Sequence, residues 1–298
     1  MAGVTQRLKW RIEALGYDVI SALTTLVPFG ALSTFGGWLL RLIGPLTSKH
    51  HIARTNIKIA FPDLNEGEVS RLLKDQWDNC GRTFAEFPAL HRLKAFDKNS
   101  HISVDGLDKL KAHNPAVIVT GHFANWEIMA LIMTQAGLPV QITYRKINNP
   151  HIDARVRKKR EAYGTKLLVQ KSGVKGAREL IDAIDRGESV ALLNDQKFNE
   201  GLSLPFFGQE AMTATGTVRL ALKTGQPLVP ISIARDGARF HMQVHDPIKL
   251  ELTGDRSYDT MSGVLKVNRF LEDIIRTRPE QWFWVHRRWP KGLYKKVK

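Results

Sequence analysis

Two residues five positions apart, His122 and Glu127 in Thr-Gly-His-Phe-Ala-Asn-Trp-Glu, have types and spacing that suit proton-transfer chemistry. His122 follows an apolar run, residues 116–121, that reads as a buried strand, and Glu127 lies in the first turn of a helix predicted over 125–137. On one continuous helix this separation would set the side chains about 140° apart. A strand–turn–helix, with Gly121 permitting the turn, instead lets the chain double back and bring the carboxylate to the imidazole. A carboxylate holding a histidine makes a general base: it sets the tautomer and stabilises the imidazolium formed when a hydroxyl gives up its proton. There is no Gly-x-Ser-x-Gly nucleophile elbow, so the base is expected to act on a substrate hydroxyl. On spacing alone, a capping glutamate beside an unrelated histidine is the commoner outcome.

Other residues invite a chemical reading and a plainer one. Asp195 and Gln196 end a second predicted buried strand, 189–195, and strand C-terminal ends in α/β sheets open onto binding crevices. Thr213, Thr215 and Gly216 begin a helix whose free backbone N–H groups suit a phosphate or an oxyanion, although threonine capping explains them nearly as well. Arg155, Arg157, Lys158, Lys159 and Arg160 form a basic run: either a solvated helix face or a contact for lipid phosphates or an acidic protein. His286, Arg287 and Arg288 lie among Trp282, Trp284 and Trp289, which suits a membrane interface and phosphate binding; packing of a C-terminal segment on the sheet is the alternative. His50, His51, His241 and His245 show no paired ligand spacing, so no metal is expected. The single cysteine, Cys80, excludes an internal disulfide and reads as a small buried hydrophobe.

The elements that must position these residues divide near residue 100. Residues 3–95 read as helical throughout. Beyond them, strands at 116–121, 139–145, 166–170 and 189–195 alternate with helices at 125–137, 149–164 and 174–187. A loop at 196–212, a helix at 213–225, a hairpin over 227–250 and a last helix at 257–278 complete the pattern. This predicts an α/β fold: a mixed, largely parallel sheet flanked by helices, with a helical N-terminal region.

The 298 residues carry a formal net charge of +15, which calls for a polyanionic partner. No RNP sequence or helix-turn-helix accompanies that charge, so nucleic acid is not expected. Val19–Leu40 is a run of 22 uncharged residues, long enough to cross a bilayer core of about 20 residues. Pro28 and several glycines interrupt it, and basic residues flank both ends. Helices lying in one membrane face, a span, and buried core helices joined at Pro28 all remain open.

The Gly-His-Phe-Ala-Asn-Trp-Glu block is similar to the His-x4-Asp/Glu block of glycerolipid-type acyltransferases, and in this form resembles the late lipid A acyltransferase family. The likeness extends to Thr143-Tyr144-Arg145, to 193–196, 204–230 and 279–289, and to 56–64, in the family's order. It implies acyl transfer from acyl-acyl carrier protein to a hydroxyl of a lipid A precursor, without a cofactor, at the cytoplasmic face of a bacterial inner membrane. By resemblance His122 is the base, Glu127 orients it, and Arg145 with the 155–160 cluster grips the acceptor. Phe206 and Phe207 either line an acyl channel or anchor their loop. Residues 1–45 would form the membrane-associated segment and 46–298 the catalytic domain. Acyl-CoA-dependent acylation of another glycolipid, such as a phosphatidylinositol mannoside, is the alternative.

Overall fold

The computed structural model describes residues 4–144, 146–162, 166–169 and 174–295. The helical half consists of α1 (Val4–Leu23), α2 (Phe29–Ile43), α3 (Ser48–Ala60) and α4 (Glu66–Glu86). Then come β1 (Ile102–Asp105), α5 (Leu107–Ala112), β2 (Val117–Thr120), α6 (Ile128–Gln135), β3 (Val140–Tyr144), α7 (Pro150–Glu161), β4 (Lys166–Val169), α8 (Val174–Asp185) and β5 (Ser189–Leu193). β6 (Lys197–Phe206), β7 (Gln209–Thr213), α9 (Gly216–Thr224), β8 (Leu228–Asp236), β9 (Arg239–Val244) and α10 (Arg256–Thr277) follow.

The seven-stranded sheet has the order β1-β9-β8-β2-β5-β3-β4. Only the β8–β9 pair is antiparallel, so the expected mixed, largely parallel sheet is present. Helices cover both faces. Along β2, Val117 and Val119 face one core with α3, α4, α9 and α10, while Ile118 faces the other with α6. Burial on both faces explains why the central strands read as unbroken apolar runs.

Two sequence expectations change. Residues 196–212 form the β6–β7 hairpin, closed by Phe207 at φ 52° and Gly208 at φ 71°, rather than a loop. The 22-residue apolar run is split at Pro28, and no described helix is long and apolar enough to cross a membrane. Proline lacks the N–H a continuing helix needs, so it starts α2 instead of prolonging α1.

The α2–α4 contact is a backbone-to-backbone approach. A methyl group on Gly36 would lie 2.4 Å from the Ala85 Cβ, and one on Gly81 would lie 2.1 Å from the Gly36 carbonyl oxygen. These glycines let the helices close to a distance no side chain permits. α4 opens on a capping box between Asn65 and Glu68, and α7 opens on Asn149 followed by Pro150.

Candidate active site

Parallel register places the central pair. Thr120 on β2 lies opposite Leu193 on β5, so His122 and Asp195, each two residues further on, leave neighbouring strand ends together. His122 Nδ1–H donates to Asp195 Oδ1 at 2.7 Å. Asp195 Oδ2 accepts from the His122 backbone N–H at 2.9 Å and from Trp282 Nε1–H at 2.7 Å. The Asp195 side chain is 1% exposed. Burial alone would raise its pKa; the attraction of His122 and the three hydrogen bonds outweigh that and bring it to about 2. With Nδ1 committed as donor, Nε2 is the accepting nitrogen, and the imidazole remains 18% exposed. The Gln196 amide N–H donates to it at 3.3 Å, a long bond that an entering hydroxyl can replace. Trp126 packs edge-to-face on the imidazole at 4.9 Å.

The expected Glu127–His122 bond is not formed. Both Glu127 oxygens face Arg160: Nε donates to Oε2 at 2.9 Å and a terminal nitrogen to Oε1. The carboxylate and the guanidinium are both largely buried, and Arg160 lies over the Tyr144 ring at 5.2 Å. Five residues downstream of His122, the turn has rotated Glu127 toward α7, and the imidazole's acid comes from the adjacent strand.

The loop between them is held from three sides. Ala124 has φ 44°, the left-handed region, so the strained residue of this turn is Ala124 rather than Gly121. Its N–H donates to the Gln281 carbonyl at 2.8 Å, and its carbonyl accepts from Thr83 Oγ1 at 2.9 Å. Phe123 bridges antiparallel to Trp282, and the Phe283 N–H donates to the His122 carbonyl at 3.1 Å. Asn125 Nδ2 donates to Glu86 Oε2 at 2.8 Å. Glu86 is fully buried and accepts two bonds from Arg235 of β8, at 2.6 and 2.8 Å, and one from Ser33 of α2 at 2.6 Å. Removing one side of such a buried pair strands the other charge, typically at about 3–5 kcal/mol.

The remaining expected site residues scatter. Arg145 lies outside the described residues. Arg155 is paired with Asp18 of α1 at 2.6 Å, Lys158 is exposed, and Lys159 Nζ donates to the Pro88 carbonyl at 2.9 Å. Burial lowers the Lys159 pKa. The run is thus partly a strap binding α7 to α1. Phe206 and Phe207 are buried, Phe206 against Trp282 and Trp289 and Phe207 against Phe61, so the anchoring alternative is the one the packing forms. Thr213 is also buried; it accepts from Arg288 at 2.6 Å, and Thr215 precedes α9 without a side-chain cap. Arg287 is exposed, over the Tyr294 ring at 5.8 Å. Arg288 is fully buried, donating to the Met212 carbonyl at 3.0 Å, and burial lowers its pKa to about 10. At Arg288 and the three tryptophans, packing on the sheet prevails over the interface reading, because all four side chains are buried. Cys80 is buried, as expected.

The sequence reading missed the supporting frame: Thr83, Glu86, Arg235, Gln281 and the Trp282 indole. A buried Glu–Arg pair separated by 149 positions leaves no periodic signal. Trp282 did stand in a resembling block, but its type suggested a membrane interface.

A strand-end histidine with a buried carboxylate on Nδ1 and an accepting Nε2, met by the Gln196 amide, defines a general-base site. Among the described residues its side-chain hydrogen-bond partners are Asp195 and Gln196, so the base is placed to act on a hydroxyl or water brought to it. The family description "Bacterial lipid A biosynthesis acyltransferase" matches residues 7–291, and the chain belongs to that family. It is an acyltransferase of lipid A type. Similar proteins include the lipid A biosynthesis palmitoleoyltransferase of Escherichia coli K12, 27% identical over 278 residues, covering 88% of this chain and 86% of that one. The lauroyltransferase of the same strain is 26% identical, covering 81% and 80%. The phosphatidylinositol mannoside acyltransferase of Mycobacterium tuberculosis H37Rv is 22% identical, covering 94% and 88%. Among solved structures, the 1-acyl-sn-glycerophosphate acyltransferase of Thermotoga maritima covers 81% of this chain and 98% of its own, at 14% identity and a TM-score of 0.35.

Proposed function

We propose that the protein transfers a fatty acyl group from acyl-acyl carrier protein to a hydroxyl of a lipid A precursor, forming an acyloxyacyl ester. The observation that carries the chemistry is the Asp195–His122 pair, which leaves Nε2 as the accepting nitrogen. The acceptor hydroxyl binds at Nε2, which takes its proton as the oxygen attacks the thioester carbonyl. Asp195 holds the imidazolium that results. The Gln196 amide, already within reach of Nε2, donates to the carbonyl oxygen as it gains charge. Collapse of the tetrahedral intermediate breaks the carbon–sulfur bond, and His122 returns the proton to the thiolate. Glu127 holds Arg160 on α7, where the guanidinium suits an acceptor phosphate.

Membrane association is part of the same proposal. On α1, Trp10, Ala14, Tyr17 and Ser21 turn toward the protein, while Leu8, Ile12, Leu15, Val19 and Leu23 are exposed. On α2, Phe35, Trp38 and Leu42 are exposed as well. Two amphipathic helices with outward apolar faces and a basic chain suit the surface of an anionic bilayer. Residues 1–45 are the part that meets it, at the cytoplasmic face of the bacterial inner membrane.

The test is acyl transfer in detergent with purified protein, offering acyl-acyl carrier protein and acyl-CoA to a lipid A precursor and to a phosphatidylinositol mannoside. Mass spectrometry of the products identifies donor and acceptor. Transfer from the carrier protein to the lipid A precursor, lost in His122→Ala, is expected. Acylation of the mannoside from acyl-CoA alone would replace the donor and acceptor in this reading.

A further inference from the structure

Away from His122, α2, α3 and α4 enclose an open cavity of about 500 Å³. Thr83 of α4 touches the catalytic loop, and Lys74 at the cavity lies nine residues earlier, roughly 14 Å along the helix axis. The charged side chains lining it are all basic: Arg41, Arg54 and Lys74, joined by His50. The carboxylates nearby are shared among several cations. Asp78 takes both Arg41, at 3.3 Å, and Arg82, at 2.5 Å, Glu66 takes both Arg54 and Lys58, and Asp75 lies 3.9 Å from Arg41. Lys74 is exposed and has no ion pair among the described residues.

The floor is aromatic and ordered. Trp77 is buried, its indole N–H donates to His50 Nδ1 at 3.1 Å, and the two rings are nearly parallel with centroids 6.5 Å apart. Gly44 lies directly against the indole, where a methyl group would come within 2.3 Å of it. Burial, and then the Arg54 charge, lower the His50 pKa. The rim is different: Trp38 and Leu42 line the cavity and also belong to the exposed apolar face of α2. A cationic cavity that opens onto an apolar ridge has the chemistry of an amphiphile site, anionic at one end and hydrocarbon at the other.

We propose that this cavity receives the phosphate headgroup of an anionic bilayer phospholipid, whose acyl chains lie along Trp38 and Leu42. The proposal rests on the membrane-surface reading above and adds to it a defined headgroup site separate from the reaction centre. Arg54 and Lys74 meet the phosphate, and Trp38 sits at headgroup level, where indoles partition. The site would turn α2 toward the bilayer in one orientation and give the chain a preference for anionic over neutral membranes.

The test measures partitioning of the full chain onto phosphatidylcholine vesicles with and without phosphatidylglycerol, neither containing acceptor lipid. Lys74→Glu and the cavity-filling, charge-neutral Ser70→Trp are compared with Lys223→Glu, an equal charge change on α9. Lys74→Glu is expected to weaken binding to phosphatidylglycerol vesicles by about ten-fold or more, at roughly five-fold per charge unit. Ser70→Trp is expected to weaken it too, with little change on pure phosphatidylcholine in either variant. Wild-type preference in both cavity variants, or an equal loss in Lys223→Glu, would overturn the proposal. So would a raised KM for acyl-acyl carrier protein with vesicle preference intact, which would make the cavity a protein-docking surface. Failure of the membrane-surface reading looks different: the wild-type chain would then bind neither kind of vesicle. His122→Ala is expected to keep the vesicle preference, so loss of catalysis and loss of lipid recognition are read separately.

Discussion

At the scale of single residues, the chemistry depends on which acid reaches His122. Asp195→Asn keeps the shape but loses the charge that fixes the Nδ1–H tautomer, so kcat is expected to fall on the order of 10²–10⁴-fold, and the melting temperature to drop, because the buried carboxylate accepts three hydrogen bonds. Steady-state kinetics and a thermal melt check this; near-normal turnover would return the orienting role to another group. In the proposed reading Glu127 acts through Arg160, with which it pairs, so Glu127→Ala, Arg160→Ala and the double variant are expected to lose activity by similar factors rather than multiplicatively. A double-mutant cycle on kcat/KM measures that coupling. His286 supplies a pH prediction. Burial foremost holds its pKa at about 4, and its Nε2 is buried without a partner. Between the unfolded value near 6.5 and 4, the unfolded chain binds a proton that the folded chain does not, so stability falls as pH drops through this window. Asp195 adds a loss in the same direction below about 4, as pH falls toward its folded value of about 2. Melting curves from pH 7 to 4 should flatten in His286→Gln, with on the order of 2 kcal/mol removed from the slope.

At the scale of elements, α4 is the strut of the site. One turn of it touches α2 through Gly81, and the next supplies Thr83 and Glu86 to the catalytic loop. Gly81→Ala is expected to cost about 1–3 kcal/mol through the clash with the Gly36 carbonyl. Activity should fall with it, because a displaced α4 moves the loop holding Ala124. Gly16→Ala on α1 is the contrast: nothing lies within 4 Å of the added methyl, so it should leave stability unchanged or raise it slightly. Differential scanning calorimetry of the two variants decides between close helix approach and mere glycine loss.

At the scale of the whole molecule, the His122 site and the proposed membrane face occupy different parts of one chain, and α1 and α2 carry that face. α1 is strapped to α7 by the Arg155–Asp18 pair and by Asn149, whose Nδ2 donates to the Trp10 carbonyl and to Glu13, so its outward apolar face is held in fixed relation to the strand ends. Replacing Leu15 and Leu23 together by glutamate should reduce vesicle partitioning by ten-fold or more, since each leucine withdrawn from hydrocarbon forfeits roughly 1.5–3 kcal/mol. The melting temperature should hold, because both side chains are exposed in the folded protein. A vesicle-bound fraction equal to wild type would remove this face from the membrane interaction.

Features that depend on local pattern are legible along the chain. Short apolar or β-branched runs separated by amphipathic stretches identified β2, β3 and β5 and the helices between them, because strand and helix periodicity is a property of neighbouring residues. His122 and Asp195 were legible as strand-end residues for the same reason. Their pairing was not legible: it follows from the β2–β5 register, a long-range hydrogen-bond alignment with no mark in either segment. Glu127 looked like the partner because sequence shows nearness along the chain, whereas the turn at Ala124 sends its carboxylate to Arg160. Tertiary structure also decided that Phe206, Trp282, Trp289 and Arg288 are buried together rather than spread along an interface. Composition records how much aromatic and basic surface a chain owns; only packing decides which of it water, or a membrane, will meet.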